Sequence, residues 1–288
     1  QYAFFGQPYR KGAGPEPGSG TAETMPHNSI HGWVGDQFQV GFKDMGSLYA
    51  AARDPLFYAH HASIDRLWEA WKGLGNTDLT DPDFLDSEFV FYNEHAELVK
   101  VSVRDSLDPI KLGFTYADVD NLWLNVTLPN LSGGTAVASL GEPLLEPCSL
   151  VLAREVAADV LDAEEMVVVE GIEGALDSAA HFEAFVNLPQ ANASTTVNCA
   201  EFLGRFSALP QVLYTNMTGN YRKTSAWFSV GENVRSLGLS GQESIVVTLV
   251  PRVESPYSPV SVKSIGLYYE TKGLSGNRMT RVGSSISA

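Results

Sequence analysis

The segment DPLFYAHHASIDRLWEAW, residues 54 to 71, constrains the fold of this chain more than any other stretch of the sequence. An Asp-Pro pair marks a break, and apolar side chains then recur at positions 57, 64, 67, 68 and 71, a spacing typical of one face of an α-helix. Two adjacent histidines fall inside this pattern. Counting the second with the apolar stripe, we predict that the helix presents His61, and not His60, along its buried face.

A second pair of histidines lies earlier in the chain, in MPHNSIHGWVGD. His27 and His31 are four residues apart, so a helix would place both imidazoles on one face. With His61 they would supply three nitrogen donors from two helices, a set that suits copper, zinc or iron. Without a cysteine or carboxylate among the three, copper is favoured. The HExxH pattern of zinc proteases is absent. The alternative is that these are ordinary surface or half-buried histidine pairs.

Composition limits the classes of protein to which the chain can belong. Its 288 residues suffice for two domains, and 44% hydrophobic and 18% charged residues are ordinary for a globular protein. A formal charge of −15 argues against a nucleic-acid partner or an anionic lipid surface, since both need clustered Lys and Arg. No apolar run is long enough to predict a membrane span. Cys148 and Cys199 leave open one disulfide or two free thiols.

Changes of pattern along the chain predict two domains and a linker, in an α+β multidomain fold. Residues 1–127 carry the histidine helices and end with a hairpin predicted from SEFVFYNEHAELVKVSVRDSLD. Residues 128–145 are rich in Gly, Pro and small side chains, which indicates a linker. Residues 146–288 contain short β-branched and aromatic runs between turn residues, and these predict an all-β sandwich.

The histidine motifs resemble those of a known family. DPLFYAHHASIDRLW and MPHNSIHGWVGD are similar to the copper B half of the type-3 copper proteins, which include tyrosinases, catechol oxidases and haemocyanins. With FVFYNEHAELVKVSVRDSLD and LGFTYADVDNLWLN they resemble plant and green-algal polyphenol oxidases, strongly over residues 1–125 and more loosely over 146–250. The resemblance implies a helical half-bundle that holds copper. It also implies a C-terminal β-sandwich that shields the copper pocket and keeps it latent, with cleavage expected around 132–141.

The resemblance implies roles for residues of the copper site. The copper ligands would be His27, His31 and His61. Phe57, one turn before the last of these, would pack among the imidazoles. Asp65, one turn after it, would accept a hydrogen bond from a histidine or a backbone N–H and so hold the ligand geometry. The alternative for Asp65 is a simple surface ion pair with Arg66.

Three further positions match residues that tune phenol chemistry in that family. Glu23 would hold a water molecule near the site, and Asn28 would help to orient that water. Their presence permits deprotonation of a monophenol, and therefore tyrosinase activity, without proving it. Leu48 occupies the position of a gate above the copper, where a smaller side chain should admit bulkier phenols. A plain core leucine is the alternative.

The resemblance covers only one half of a dicopper site. The chain has six histidines, and His60, His95 and His181, which lie outside the proposed triplet, do not have copper A spacing. We therefore expect the copper A ligands in a preceding segment that this sequence does not contain. The predicted function is oxidation of o-diphenols, and of monophenols if tyrosinase activity is present, to o-quinones with O2. The alternative is a non-catalytic subunit that keeps the family fold and binds a larger assembly.

Partners and localisation are implied by the resemblance alone. The expected partners are a phenolic small molecule, O2 and the missing copper A segment. The expected compartment is the thylakoid lumen of the chloroplast. For the non-catalytic alternative, a thylakoid membrane protein complex would be the partner.

Overall fold

The computed structural model describes residues 1–6, 18–131, 143–154, 163–210, 221–254, 257–271 and 278–284. Within these ranges the expected mixture of helices and strands is confirmed. The segment 132–141, expected to be the cleavage region, lies outside the described residues, so its linker character stays a prediction. In the described ranges, no helix combines the length and the apolar content that crossing a membrane requires.

The first part of the chain consists of short helices and turns around one long helix. The helices are α1 (Tyr2–Phe5), α2 (Ser29–Val34), α3 (Leu56–Gly73), α4 (Pro82–Leu85) and α5 (Val103–Ser106). A π-helical turn, Glu23–Asn28, leads directly into α2. Further 3-10 turns span Val40–Phe42, Ala51–Arg53 and Leu122–Asn125. The histidines predicted to bind metal all lie in the π-helical turn, α2 and α3.

Helix α3 confirms the helix predicted from the apolar spacing. Oδ1 of Asp54 accepts a hydrogen bond of 2.9 Å from the backbone N–H of Leu56, which satisfies one of the free donors at the helix start. Pro55 precedes the first helical residue, where proline is well tolerated. After Gly73, the positive φ of Gly75 (91°) turns the chain away in a conformation that glycine adopts without strain.

The predicted hairpin is also confirmed. Strands β1 (Glu88–Tyr92) and β2 (Leu98–Ser102) pair antiparallel, with Glu88 opposite Ser102. Oδ1 of Asn93 accepts from the backbone N–H groups of His95 and Glu97 and so holds the turn between the strands. His95 therefore lies in an exposed turn and takes no part in the histidine cluster.

The second part of the chain contains eight described strands and a short helix, α6 (Gly231–Ser236). The strands are β3 (Cys148–Ala153), β4 (Glu164–Ala175), β5 (Ala180–Val186), β6 (Phe202–Ala208), β7 (Tyr221–Ser229), β8 (Ser244–Arg252), β9 (Ser261–Thr271) and β10 (Arg278–Ser284). They form two antiparallel sheets, with strand orders β10-β9-β4-β7 and β3-β8-β5-β6. One hydrophobic cluster draws side chains from both sheets, including Val167, Phe182, Leu249 and Ile265. Cys148 and Cys199 are both buried and form no disulfide with each other, so the disulfide that the sequence left open is not made.

The two parts of the chain are joined by backbone and aromatic contacts. Ser19 pairs with the edge strand β7: its N–H donates to the carbonyl oxygen of Ser225 (2.8 Å), and its carbonyl accepts from Trp227 (3.3 Å). The ring of Tyr2 in α1 stacks on Trp227 with centroids 5.8 Å apart. Strand β6 packs on the π-helical turn. The C-terminal strands therefore contact the segment that carries the first histidines.

Candidate metal centre

Four histidine side chains meet between the π-helical turn, α2 and α3. The ring centroids of His27 and His31 are 4.7 Å apart, and the ring of His61 lies 5.0 Å from His27 and 5.4 Å from His31. His60 is equally close, at 5.3 Å from His27 and 4.9 Å from His31. The structure thus brings together the three histidines selected from the sequence and adds a fourth.

Hydrogen bonds to two of these rings decide which nitrogen is free to bind a metal. Nδ1 of His31 lies 2.6 Å from the carbonyl oxygen of Met45, which can only accept, so Nδ1 carries the proton and Nε2 the lone pair. Nδ1 of His27 lies 2.9 Å from Oδ1 of Asn28, with the same consequence. Metal-binding histidines are usually held in this way through their second nitrogen.

The two adjacent histidines of α3 lie in different surroundings. His60 is buried, with 7% of its surface exposed, whereas His61 is half-buried, so the prediction that His61 occupies the buried face instead of His60 is wrong. Neighbouring side chains point about 100° apart around a helix, and the π-helical turn covers the sector of α3 that contains His60. The ring of His60 stacks there on His27, with 20° between the ring planes.

Two alternative sets of three donors follow from this arrangement. Donor nitrogens of His27, His31 and His60 lie within 4.8 Å of one another. However, Nε2 of His60 is 3.1 Å from the carbonyl oxygen of His27, and a nitrogen that donates there has no lone pair to offer. Nε2 of His61 is instead 3.2 Å from the unprotonated Nε2 of His31. The His61 nitrogen therefore points toward a lone pair, where a cation can be shared.

The pKa values of all four imidazoles lie below the ordinary histidine value. Burial is the main cause, and the positive charge that neighbouring imidazoles would carry lowers the pKa of His27, His60 and His61 further. The pKa of His27 falls to about 4, although its bond to Asn28 acts in the opposite direction. For His31, the hydrogen bond to Met45 opposes the effect of burial. The rings are therefore neutral near pH 7, which is the protonation state that metal binding requires.

Phe57 and Leu48 were both expected near the imidazoles. The ring of Phe57 stacks on His61 with centroids 4.0 Å apart and lies 6.1 Å from the ring of His31. Phe57 thus packs among the imidazoles. Leu48 is 57% exposed, so the description of this residue as a plain core leucine is wrong.

Within the part of the chain that the structure describes, no hydrogen bond or ion pair joins Asp65 to a histidine or to the side chain of Arg66. Its Oδ2 accepts a short hydrogen bond from the hydroxyl of Tyr116. Burial, and after it this bond, raises the pKa of that tyrosine. Arg66 donates to Oδ1 of Asn121 at 2.8 Å. The loop that carries Tyr116 and Asn121 runs along α3. It bonds to Asp65 and to Arg66, the two residues of the expected ion pair. This loop contact replaces the expected hydrogen bond from a histidine to Asp65.

Glu23 and Asn28 flank His27 in the π-helical turn. Although Glu23 reaches solvent, the surrounding protein raises the pKa of its carboxyl by desolvation, and hydrogen bonds with Ser19 and Asn28 partly oppose this effect. Nδ2 of Asn28 donates to the carbonyl oxygen of Ser207 in β6 at 2.9 Å, while its Oδ1 faces His27. Glu23, Asn28 and His27 thus form one hydrogen-bonded group.

Three residues that hold this centre were missed by the sequence analysis. Met45 and Ser207 act through their backbone carbonyl oxygens. Every residue has such an oxygen, so the residue type does not reveal the contact. Tyr116 acts through its side chain, but it lies 51 residues from its partner Asp65. The sequence shows a tyrosine in LGFTYADVD, but its spacing does not indicate a contact with Asp65.

The chemistry of the donor set fits copper. Neutral imidazole nitrogens suit copper, zinc, iron and nickel, and the cluster contains neither thiolates nor carboxylates that would favour another metal. His27 and His31 have their Nδ1 atoms engaged by acceptors, so both present Nε2 to the space between the rings. The residues are thus arranged to hold a transition-metal ion without any change of tautomer.

Three family models match successive parts of the chain. The common central domain of tyrosinase matches residues 2–74, the polyphenol oxidase middle domain residues 78–128, and the chloroplastic polyphenol oxidase C-terminal domain residues 152–268. The chain belongs to the polyphenol oxidase family. Copper is the metal of this type-3 copper family, in agreement with the all-histidine donor set.

Relatives of this polyphenol oxidase chain are similar over most of its length. It is 38% identical to the latent form of a chloroplastic polyphenol oxidase from Prunus armeniaca, over 93% of this chain and 47% of that protein. It is 38% identical to aureusidin synthase from Antirrhinum majus, over 86% of this chain and 48% of that protein. The chain thus spans about half the length of the curated relatives it matches.

Solved structures of the family have the same fold. Latent apple tyrosinase superposes with a TM-score of 0.79 at 36% identity, over 93% of this chain and 60% of that one. A latent aurone synthase superposes with a TM-score of 0.78 at 28% identity, over 99% of this chain and 56% of that one. Both neighbours extend well beyond the part that matches this polyphenol oxidase chain.

Proposed function

We propose that His27, His31 and His61 hold one copper ion, the copper B, of a polyphenol oxidase that oxidises o-diphenols to o-quinones with O2. The observation that carries the proposal is the 3.2 Å separation between Nε2 of His31 and Nε2 of His61. Two nitrogens that each lie about 2.0 Å from one ion at a tetrahedral angle are about 3.3 Å apart. The two atoms are therefore already spaced as ligands of one ion.

The chain supplies ligands for one copper ion of the pair. Outside this triplet it has His60, whose Nε2 donates to a carbonyl, His95 in the exposed turn and His181 in β5. We therefore place the copper A ligands in a part of the longer protein outside this chain. Copper held by this triplet and by the copper A ligands would supply the electron transfer from the phenol to O2. Each o-diphenol loses two electrons and two protons, so reducing one O2 to two waters consumes two o-diphenols.

The residues around the histidines orient the imidazole rings, hold a water molecule and assist deprotonation of the phenol. Phe57 stacks on His61 and restricts rotation of that ring. We assign to Glu23 the task of holding a water that takes the phenolic proton, because its raised pKa makes it a stronger base than an ordinary carboxylate. Asn28 orients that water and the His27 ring. We assign Leu48, which is exposed three residues after Met45, to the entrance for phenols.

The proposed domain organisation follows the same boundaries as the sequence prediction. Residues 1–127 form the copper B half with its hairpin region, 128–145 the linker, and 146–288 a β-sandwich that shields the site. The two sheets with a shared hydrophobic cluster support the sandwich, and the packing of β6 on the π-helical turn supports the shielding. Because curated relatives are named chloroplastic, we propose a chloroplast location, in the thylakoid lumen.

Copper content and oxygen uptake of the complete gene product test the function. We expect about two copper ions per chain and consumption of O2 with catechol. Replacing His31 with alanine should remove copper and activity, while His95→Ala, in the exposed turn, should change neither. If the protein has no copper, does not turn over catechol and co-purifies with a larger assembly, the proposed enzymatic function is wrong. That result would favour a non-catalytic subunit, with a thylakoid membrane complex as the first partner to examine.

A further inference from the structure

Strand β6 of the second domain touches the metal centre through Ser207. Its carbonyl oxygen accepts from Nδ2 of Asn28 at 2.9 Å, and its hydroxyl lies 3.0 Å from Oγ of Ser29. Ser207 is 6% exposed, so water does not compete freely for these bonds. The contact therefore joins a buried residue of the C-terminal sheet to the two residues that follow His27.

The carbonyl oxygen of Ser207 helps to orient the Asn28 amide. A carbonyl oxygen can only accept, so the NH₂ group of Asn28 must face Ser207 and its Oδ1 must face His27. An oxygen there can only accept in turn, so Nδ1 of His27 carries the proton. Nε2 of His27 is then left with the lone pair. A backbone atom of the C-terminal domain thus acts together with the Glu23 carboxylate, which also bonds to Asn28, to set the tautomer of a metal-site histidine on the other domain.

A chain of hydroxyl and imidazole groups keeps that carbonyl in place. Oγ of Ser29 donates to the carbonyl oxygen of Thr24 at 3.1 Å, so its only proton is used there. Oγ of Ser207 lies 3.0 Å from Oγ of Ser29 and 3.2 Å from Nδ1 of His181. These contacts connect His181, Ser207, Ser29 and Thr24 in that order. These bonds fix β6 against the π-helical turn.

We propose that Ser207 is a positioning residue of the metal centre: through Asn28 it holds His27 in the tautomer that presents Nε2 to the metal. This inference rests on the proposed role of His27 as a copper ligand. It makes the C-terminal domain part of the working site, in addition to any shielding of that site. Groups that hold a metal-binding histidine in this way typically change metal affinity ten- to a hundred-fold when removed.

The test reads the His27 tautomer directly, in the metal-free whole chain. Histidines are labelled with nitrogen-15, the His27 signals are assigned with a His27→Gln variant, and long-range proton–nitrogen spectra report which ring nitrogen is protonated. We expect a single Nδ1–H form in the unmodified chain. Ser207→Ala keeps the carbonyl oxygen but loses the hydroxyl contacts that hold β6 against the π-helical turn, so we expect a mixture of tautomers there. Copper binding by Ser207→Ala, measured by competition with a chromophoric chelator, should weaken about ten-fold. His181→Phe, which removes the ring nitrogen bonded to Ser207, should shift the tautomer in the same direction.

A matched control and a rescue separate positioning from general damage. Ser149 lies in the same sheet, is 7% exposed, and its Oγ bonds to Oγ1 of Thr248 at 2.9 Å, so Ser149→Ala should leave the His27 tautomer unchanged. Asn28→Asp in the Ser207→Ala background should restore the Nδ1–H form, because either carboxylate oxygen accepts that proton.

The tautomer readout also separates this inference from the proposed function. An unchanged His27 tautomer in both Ser207→Ala and His181→Phe would overturn the proposal, as would a failed rescue. If the tautomer shifts but the unmodified chain binds no copper, the proposed function fails while the positioning role of Ser207 stands.

Discussion

At the scale of single residues, the two adjacent histidines of α3 have different partners and therefore different roles. His60 is buried and donates from Nε2 to the carbonyl oxygen of His27, which ties α3 to the π-helical turn. His61 has the ring of Phe57 on one face and directs Nε2 at His31. The first histidine thus holds two elements together, and the second is left to bind a ligand.

Replacing each histidine of the pair in turn tests this division. We expect His61→Ala to lose copper from the centre, because the donor nearest to Nε2 of His31 is removed. His60→Ala should retain copper with a lower affinity, because it loses a bond between elements and no donor. Elemental analysis after exhaustive dialysis gives the copper content, and competition with a chelator gives the affinity. The opposite pattern, with copper lost only from His60→Ala, would assign the third ligand to His60.

At the scale of elements, helices and hairpins with a clear period were predictable from the sequence. Helix α3 and the β1–β2 hairpin both lie where their patterns placed them. The side of α3 that is buried was not predictable, because His60 and His61 both lie beside the apolar stripe. Only the packing of another element on α3 decides between them. Local pattern therefore fixes an element more firmly than it fixes the face that the element buries.

The residues that hold the metal centre could not be predicted from the sequence, for a different reason. Ser207 lies 179 residues from Asn28, and Met45 lies 14 residues from His31. Both act through a carbonyl oxygen that every residue possesses. The ligand types and their approximate spacing could be predicted, but the tautomers depend on contacts formed only in the folded chain.

The β-sheet that carries Ser207 also contains a buried carboxylate with two cationic partners. Glu183 in β5 is 1% exposed, and its oxygens accept from Arg205 at 2.7 Å and from Arg252 at 2.9 Å. His181 lies 4.0 Å away on the same strand. Burial acts to raise the pKa of Glu183, but the hydrogen bonds and the two arginine charges outweigh it and lower the pKa to about 2. This cluster joins strands β5, β6 and β8 in the sheet.

The lowered pKa of Glu183 predicts how the stability of the sheet depends on pH. A carboxylate whose pKa is lower in the folded state contributes stability above its ordinary pKa and loses it as pH falls from about 4.5 to about 2. Glu183→Gln should therefore cost about 2 kcal/mol of unfolding free energy at pH 7, since both arginines keep some access to water. The difference from the unmodified protein should shrink toward pH 3. Urea unfolding at pH 7, 4 and 3 measures it.

An exposed glutamate in the other sheet provides the control. Glu173 in β4 is exposed, so Glu173→Gln should change stability little at any of these pH values. A Glu183→Gln deficit that stays constant from pH 7 to pH 3 would show that the carboxylate charge contributes nothing and that the loss comes from packing alone.

At the scale of the whole molecule, non-covalent contacts join the two parts of the chain on both sides of the predicted linker. Ser19 pairs with β7, and Ser207 bonds to the residues after His27. Near the start of the linker, the carbonyl oxygen of Pro129 accepts from Ala200 at 2.8 Å, and the N–H of Leu131 donates to Oε1 of the buried Glu201 at 2.5 Å. The connection between the parts therefore does not depend on the covalent linker alone.

Cutting the linker should accordingly leave the two parts associated. If residues 134–140 are replaced by a recognition site for a specific protease, we expect the fragments to co-elute as one species in native size-exclusion chromatography after complete cleavage. They should separate only in denaturant, because the contacts at Ser19, Ser207 and Leu131 lie outside the replaced segment. In the complete gene product, catechol oxidation should then rise on mild denaturation of the cut protein and not on cutting itself. Separation of the fragments in native buffer would mean that these contacts are too weak to hold the shielding domain, and that cleavage alone can expose the site.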